Sequence, residues 1–327
     1  MKRILLSVFL LLPFFLGATN NKACLEIQRT KPEVKTDTVV PQTFEFVKRG
    51  DKAMLMDVYR PKSPRPDSAC VVFMFGGGFV EGSRNGEWER QYCQMLASDG
   101  FTAIAIDYRL HLREVNFDTV TLMKTQRVFR DAINIAAADC SAAIAYICRN
   151  AGELGVAANR IVLCGCSAGA IGVMQLDYCR ANSMTPATEL PAGWKPAAVV
   201  AFAGAVYAEG GNPKYKTAPA PTFFLHGDND RIVNYKKFPP VLRSGLYGVK
   251  KLHKTFEKNN YPHWFFVFEG IGHEVASLFL LMNDEVEVFV DKTLKQREMF
   301  YDVTVRDSKV VPTKWSKLGV FDLYRKK

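Results

Sequence analysis

Arg160-Ile-Val-Leu-Cys164-Gly165-Cys166-Ser167-Ala168-Gly169 sets a short apolar run directly against a Gly-x-Ser-x-Gly turn, and a helix-period segment, Ala168 to Arg180, follows at once. A short apolar run of this kind reads as a strand buried on both faces. A serine on a tight turn from such a strand into a helix projects its hydroxyl from the sheet, and the turn needs small neighbours, which Gly165 and Gly169 supply. The helix N-terminus adds backbone N–H groups and the positive end of the helix dipole beside any oxyanion that develops there. Alone, the five-residue pattern is a common turn; the strand before it and the helix after it give it weight.

Outward from this turn the chain repeats the same alternation. Cys70 to Phe75, Phe101 to Ile106, Ala197 to Phe202, Thr222 to Leu225 and Trp264 to Phe268 are also short apolar runs. Glu87 to Ser98, roughly Asp131 to Arg149, roughly Tyr235 to Leu246, and Glu274 to Leu294 have helical spacing. The pattern predicts an α/β fold with a mostly parallel central sheet and helices on both faces. Thr43 to Val47 and Ala53 to Tyr59, alternating around Arg49-Gly50-Asp51, predict an N-terminal antiparallel hairpin at its edge. His111 to Arg130 mixes charged and apolar residues just after a strand end, so it reads either as a lid over the binding crevice or as a surface insertion.

With 48% hydrophobic and 23% charged residues in 327, the chain has the profile of a packed domain and not of a disordered or fibrous protein. The surplus of 43 Lys and Arg over 33 Asp and Glu, +10, reads as solubility; no nucleic-acid partner is called for, and the basic stretch Lys236 to Lys258 reads as a solvated face. Lys2 and Arg3 precede an apolar run, Ile4 to Leu16, that ends near Gly17-Ala18, the pattern of a signal peptide over residues 1–18. Export to a periplasm or the medium is expected, with lipid anchoring at Cys24 the less favoured route. Past the leader no stretch reads as a transmembrane segment. A linker over 19–42, one domain over 43–300 and a C-terminal extension over 301–327 packed onto it complete the organisation. Eight cysteines without zinc spacing read as buried free thiols with at most a bridge or two, and no metal or cofactor is implied.

A serine hydroxyl needs a base, and the base needs a carboxylate to orient it. Among five histidines, His273 in Gly270-Ile-Gly-His273-Glu274 stands alone after the last apolar run, in a loop where strands finish. His111, His253 and His263 read as surface residues, and His226 as a brace for its own loop. That loop, His226-Gly-Asp228-Asn-Asp230-Arg-Ile-Val233, offers two carboxylates. Asp230 precedes Ile232-Val233, which return to the core and hold it, whereas Asp228 follows a glycine and serves the turn. Phe75-Gly76-Gly77-Gly78-Phe79, after another strand, lets backbone N–H groups approach a ligand closely, and no nucleotide-binding glycine pattern accompanies it.

Together these residues resemble the α/β-hydrolase superfamily, and within it the secreted carboxylesterases and lipases related to hormone-sensitive lipase. The match rests on Gly76 to Phe79 with Gly82, Asp107-Tyr108-Arg109-Leu110, the turn at 165–169, His226-Gly227 with Asp230, and Gly272-His273, in that order. The resemblance implies Ser167 as nucleophile, His273 as general acid and base, Asp230 as its orienting carboxylate, and the N–H groups of Gly77, Gly78 and Ala168 as an oxyanion hole. It implies hydrolysis of a small-molecule or glycan ester, acetyl or feruloyl groups on polysaccharide among them, without a cofactor. An exported serine peptidase of the same fold, for which no acidic pair to hold a peptide terminus is evident, and an inactive binding protein are the alternatives. One departure stands out: the family usually has histidine where this chain has Phe75, so the hydrogen bond that steadies the glycine loop is missing.

Overall fold

The computed structural model describes residues 22–26, 39–117, 122–296, 300–306 and 310–324; the leader expected over 1–18 lies outside them. In chain order the strands are β1 (Lys22–Glu26), β2 (Gln42–Arg49), β3 (Lys52–Tyr59), β4 (Cys70–Met74), β5 (Thr102–Ile106), β6 (Ile161–Cys166), β7 (Ala198–Phe202), β8 (Ala205–Ala208), β9 (Thr222–Gly227), β10 (Lys237–Phe238), β11 (Gly245–Gly248), β12 (His263–Phe268) and β13 (Phe300–Arg306). The helices are α1 (Glu87–Ser98), α2 (Leu122–Arg149), α3 (Ala151–Leu154), α4 (Ala168–Asn182), α5 (Val249–Lys258) and α6 (Asn283–Leu294), with a 3-10 segment over His273–Leu280.

Ten of the described strands form one sheet in the order β1-β13-β12-β9-β7-β6-β4-β5-β3-β2. It is parallel from β1 to β5, and β3 and β2 close it as the expected antiparallel hairpin. Side chains alternate between two cores. Cys70, Val72 and Met74 of β4 and Ile161 and Leu163 of β6 enter one, beneath α2, α4 and α5. Val71, Phe73, Val162, Cys164 and Cys166 enter the other, beneath α1, the 3-10 segment and α6. Burial on both faces is why these strands read as continuous apolar runs. The chain steps from β4 to β5 on one side and then crosses to β6 on the other, and such a reversal opens a crevice at the C-terminal ends of the two strands.

Several elements differ from expectation. The helix expected over Tyr235 to Leu246 is replaced by β10 and β11, which join β8 in a small antiparallel sheet. Pro239 and Pro240 cannot supply helical N–H groups, so the helix forms only beyond Gly248, as α5. Glu274 to Leu294 divides into the 3-10 segment and α6, whose first turn carries Asp284 and Glu285, as a helix N-terminus favours. α2 begins at Leu122, so much of the 111–130 segment is helix. By length and composition α2 could cross a bilayer, contrary to the reading that no stretch past the leader could; it is a core helix, with Ile133, Ala136, Ala137, Cys140 and Ile144 fully buried. Phe300–Arg306 adds a strand beside β12.

One half-buried acid gives the fold a pH signature. Burial raises the Glu287 carboxyl to about 7; the Arg65 ion pair at 2.7 Å opposes the rise and the nearby Asp99 charge adds to it. A proton held more tightly in the folded than in the unfolded chain stabilises the fold at acidic pH, and that stability declines as pH rises from the unfolded value near 4.5 through the folded one. Glu287→Gln, uncharged throughout, should therefore show a smaller fall in Tm than the parent between about pH 5 and about pH 8. Parallel Tm–pH curves for the two proteins would refute the assignment.

Candidate active site

Ser167 lies between β6 and α4 with φ 52° and ψ −120°, a backbone conformation that side-chain-bearing residues rarely adopt. Its N–H donates to the Phe202 carbonyl at 2.8 Å, and its carbonyl accepts from the Ile171 N–H at 3.0 Å, so both ends of the turn are fastened. Gly169 is required by proximity: a Cβ there would lie 2.1 Å from the Met74 carbonyl oxygen. That contact draws α4 against the end of β4 and brings the glycine loop next to the serine.

His273 opens the 3-10 segment after β12, and Asp230 follows β9. Ser167 Oγ lies 2.8 Å from His273 Nε2, and His273 Nδ1 lies 2.8 Å from Asp230 Oδ2. A carboxylate only accepts, so Nδ1–H donates to Asp230 and bare Nε2 faces the serine hydroxyl. Asp230 Oδ1 accepts from the Ile232 and Val233 N–H groups at 2.9 and 3.0 Å, which fixes the carboxylate by the return of the chain to the core. Burial alone would raise the Asp230 carboxyl. The charge of His273 and hydrogen bonds to His226 and His273 outweigh burial and hold it well below the usual carboxylate range. His226 Nε2 lies 2.8 Å from the Val233 carbonyl and 3.3 Å from Asp230 Oδ2, a brace across the loop. Asp228, expected to serve its own turn, instead accepts from the Gly270 N–H at 2.8 Å and ties that turn to the loop before His273.

Gly77 and Gly78, at φ 111° and 64°, line a cleft of about 580 Å³ together with Ser167 and His273. Ala168 is the first residue of α4, with its N–H at the positive end of the helix. The glycine loop lacks the family's histidine but is fastened in other ways. Tyr108 stacks on Phe75 at 4.4 Å and donates to the Phe75 carbonyl at 2.9 Å. The Leu112 N–H and Arg113 Nε donate to the Phe79 and Val80 carbonyls, so residues 107–113 form a wall of the loop. From the far end of the chain, the Tyr324 hydroxyl donates to the Gly78 carbonyl at 2.9 Å, with its ring packed on Phe117 and Phe129.

This role of the tail was not legible in the sequence. Glu274, next to the histidine, accepts from the Thr313 N–H, the Thr313 hydroxyl, the Ser316 N–H and the Ser316 hydroxyl at 2.6–3.0 Å. Burial opposes its ionisation, and these bonds outweigh burial and hold the carboxyl below the usual range. Trp315, Leu323 and Tyr324 then form part of the cleft lining, together with Trp88 and Phe279. Glu81 and Glu89 line it too, an acidic pair that spacing had not revealed. Among the described residues seven cysteines are free thiols and six of these are buried. Burial lifts Cys166, beside the serine, above the ordinary thiol range, so it stays protonated. The structure corrects one histidine: His263, expected at the surface, is buried, with 3% of its area exposed.

Residues 56–176, which hold the glycine loop and the serine turn, match the BD-FAE family model. The Oryza sativa subsp. japonica protein described as probable isoprenylcysteine alpha-carbonyl methylesterase ICME is 31% identical over 115 residues, 35% of this chain; the match spans 23% of that relative's length. Among solved structures, native Est2, a thermophilic esterase from the Planctomycetes species Thermogutta terrifontis, aligns with a TM-score of 0.54 at 22% identity, over 80% of this chain and 94% of the other. Its propionate-bound form gives 0.53 at 21% identity, over 80% and 97%. At such identities the likeness to solved structures speaks for the fold. With the ten-stranded sheet, the turn at Ser167 and the aligned structures in agreement, the chain has the α/β-hydrolase fold, and its segment 56–176 resembles the BD-FAE family.

Proposed function

We propose that the chain is an exported serine hydrolase that cleaves carboxylic esters through an acyl-enzyme. The observation that carries this reading is the continuous hydrogen-bonded line from Ser167 Oγ through both nitrogens of His273 to Asp230, with the serine at the floor of a cleft. In the first step His273 Nε2 takes the hydroxyl proton as Oγ attacks the ester carbonyl, and Asp230 stabilises the imidazolium that forms. The N–H groups of Gly77, Gly78 and Ala168 hold the oxyanion, the imidazolium returns its proton to the departing alcohol, and the acyl group stays on Ser167. Water, deprotonated by the same histidine, then releases the acid.

The proposed substrates are acyl groups, acetyl or feruloyl, on polysaccharide. Trp88 and Trp315 are 56% and 39% exposed and both line the cleft, where flat apolar rings suit the face of a sugar or of an aromatic acid. A serine peptidase remains the second reading, because Glu81 and Glu89 in the same lining could receive the α-ammonium of a peptide. Aminoacyl p-nitroanilides beside acylated glycans separate the two.

Ser167→Ala should abolish covalent labelling by a fluorophosphonate and lower p-nitrophenyl acetate turnover by about 10⁴-fold or more, measured on protein lacking the leader. Thermogutta terrifontis esterase 2 is known in forms phosphorylated by paraoxon and phosphonylated by sarin, which makes such a label apt. A Ser167→Ala protein that still turns over at the parent rate would refute the mechanism. Tyr324→Phe keeps the ring packing and removes only the bond to Gly78. It should lower kcat with KM little changed, by less than the roughly 10² to 10³ that loss of a whole oxyanion donor costs. An unchanged kcat would mean that the loop does not depend on the tail.

A further inference from the structure

Toward the other end of the sheet lies a cluster that this chemistry does not use. His263 begins β12, whereas Ser167, Asp230 and His273 all follow strand ends. Asp302 pairs with Phe265 across β12 and β13, so it shares a sheet face with Phe265 and His263. α5 packs on that face and lays the His253 ring flat on Phe265, with centroids 4.1 Å apart and planes 10° apart. His253 Nε2 is 3.0 Å and His263 Nε2 is 3.7 Å from Asp302 Oδ1, and one donor atom from each residue lies within 4.8 Å of the others.

We propose that His253, His263 and Asp302 form a binding site for a divalent transition-metal ion of the zinc kind. Two imidazole nitrogens and a carboxylate oxygen are the donors that such an ion takes, and arms of about 2.0–2.1 Å place neighbouring donors about 3.3 Å apart, between the two separations found here. The tautomer of His263 supports the assignment. Its Nδ1 lies 2.8 Å from the Tyr261 carbonyl, which only accepts, so Nδ1 carries a hydrogen, and in the neutral ring Nε2 turns a lone pair toward a carboxylate oxygen. Two acceptors so placed require a cation between them, either a proton or a metal ion. At His253, Nε2 faces Asp302 at 3.0 Å and Nδ1 lies 3.6 Å from Glu257 Oε2, beyond hydrogen-bond reach, so its ring can turn either nitrogen's lone pair to a cation. A ligating nitrogen turned inward, with the second nitrogen held by a carbonyl or carboxylate, is how proteins orient histidines toward metals. The rings are already fixed by packing. His253 and His263 side chains are 14% and 4% exposed and Asp302 15%, so the site is shielded but open to an ion. Bound there, an ion would fasten α5 to β12 and β13.

Tag-free protein, stripped with a chelator, is titrated with Zn²⁺ by calorimetry and with Co²⁺ by visible absorption, beside His253→Gln, His263→Gln, Asp302→Asn and His273→Gln. The expected result is one saturable Zn²⁺ site and a raised Tm in the parent and in His273→Gln, with affinity lower by about tenfold or more in each cluster variant that stays folded by circular dichroism. His253→Gln, at a half-buried position on the helix, decides the matter where the buried His263→Gln does not fold. Absence of saturable binding in the parent overturns the proposal. So does binding that the cluster variants leave intact, or binding lost in His273→Gln, which would place the ion at the serine site.

Discussion

The crossing of α4 over the end of β4 leaves no room for a side chain at Gly169, and much of the site takes its position from that contact. An added Cβ there would meet the Met74 and Phe75 carbonyls at 2.1–2.5 Å, so any larger residue would push the helix away from the sheet. With the helix so close, the preceding turn is short and Ser167 sits at φ 52°. Conformations of this kind cost about 1–3 kcal/mol and persist where the surroundings over-determine them. Here the surroundings are the Phe202 carbonyl, the Ile171 N–H and two apolar cores that lock β6 and α4. The strain has a consequence for chemistry: Oγ points out of the sheet toward His273 and cannot relax into the helix to satisfy itself.

The tail works on the same geometry from the opposite side. Glu274 ties Thr313 and Ser316 to the loop that carries the histidine, and Tyr324 ties the next turn of the tail to the glycine loop at Gly78. One segment therefore spans both loops and fixes the position of His273 relative to Gly78. Charged acceptors make the stronger hydrogen bonds, and Glu274 receives its bonds as a carboxylate, so the histidine loop is the firmer of the two anchors. Tyr324 contributes one neutral bond to Gly78, with ring packing on Phe117 and Phe129 behind it.

What was legible in the sequence follows the range of the forces involved. Strands buried on both faces must be apolar throughout, so β4 to β7, β9 and β12 announce themselves; the serine turn and the acid loop are local, and each can be read from its own neighbours. The segment from Tyr235 to Leu246 misleads because its apolar spacing imitates a helix, while Pro239, Pro240 and Gly245 settle it as short strands and turns. Tyr324 and Gly78 are 246 residues apart, and nothing local to either points to the other. His253, His263 and Asp302 come from a helix and two strands, so they lack the close spacing by which metal ligands are usually recognised in a sequence.

Charge shows how the site separates its electrostatics from those of the whole chain. The protein carries +10, yet the residues lining the cleft include Glu81 and Glu89 and neither lysine nor arginine. The positive surplus lies elsewhere, with Lys214, Lys251, Lys254 and Lys258 around a separate surface hollow beside α5. A field from two acids at its wall favours neutral or cationic groups. Negative charge that develops on a bound carbonyl must then be met by donors within hydrogen-bonding distance, because the wider field opposes it. Under the mechanism proposed above that requirement falls on the N–H groups of Gly77, Gly78 and Ala168, and the bonds from Tyr108 and Tyr324 that fasten the short glycine loop accord with it.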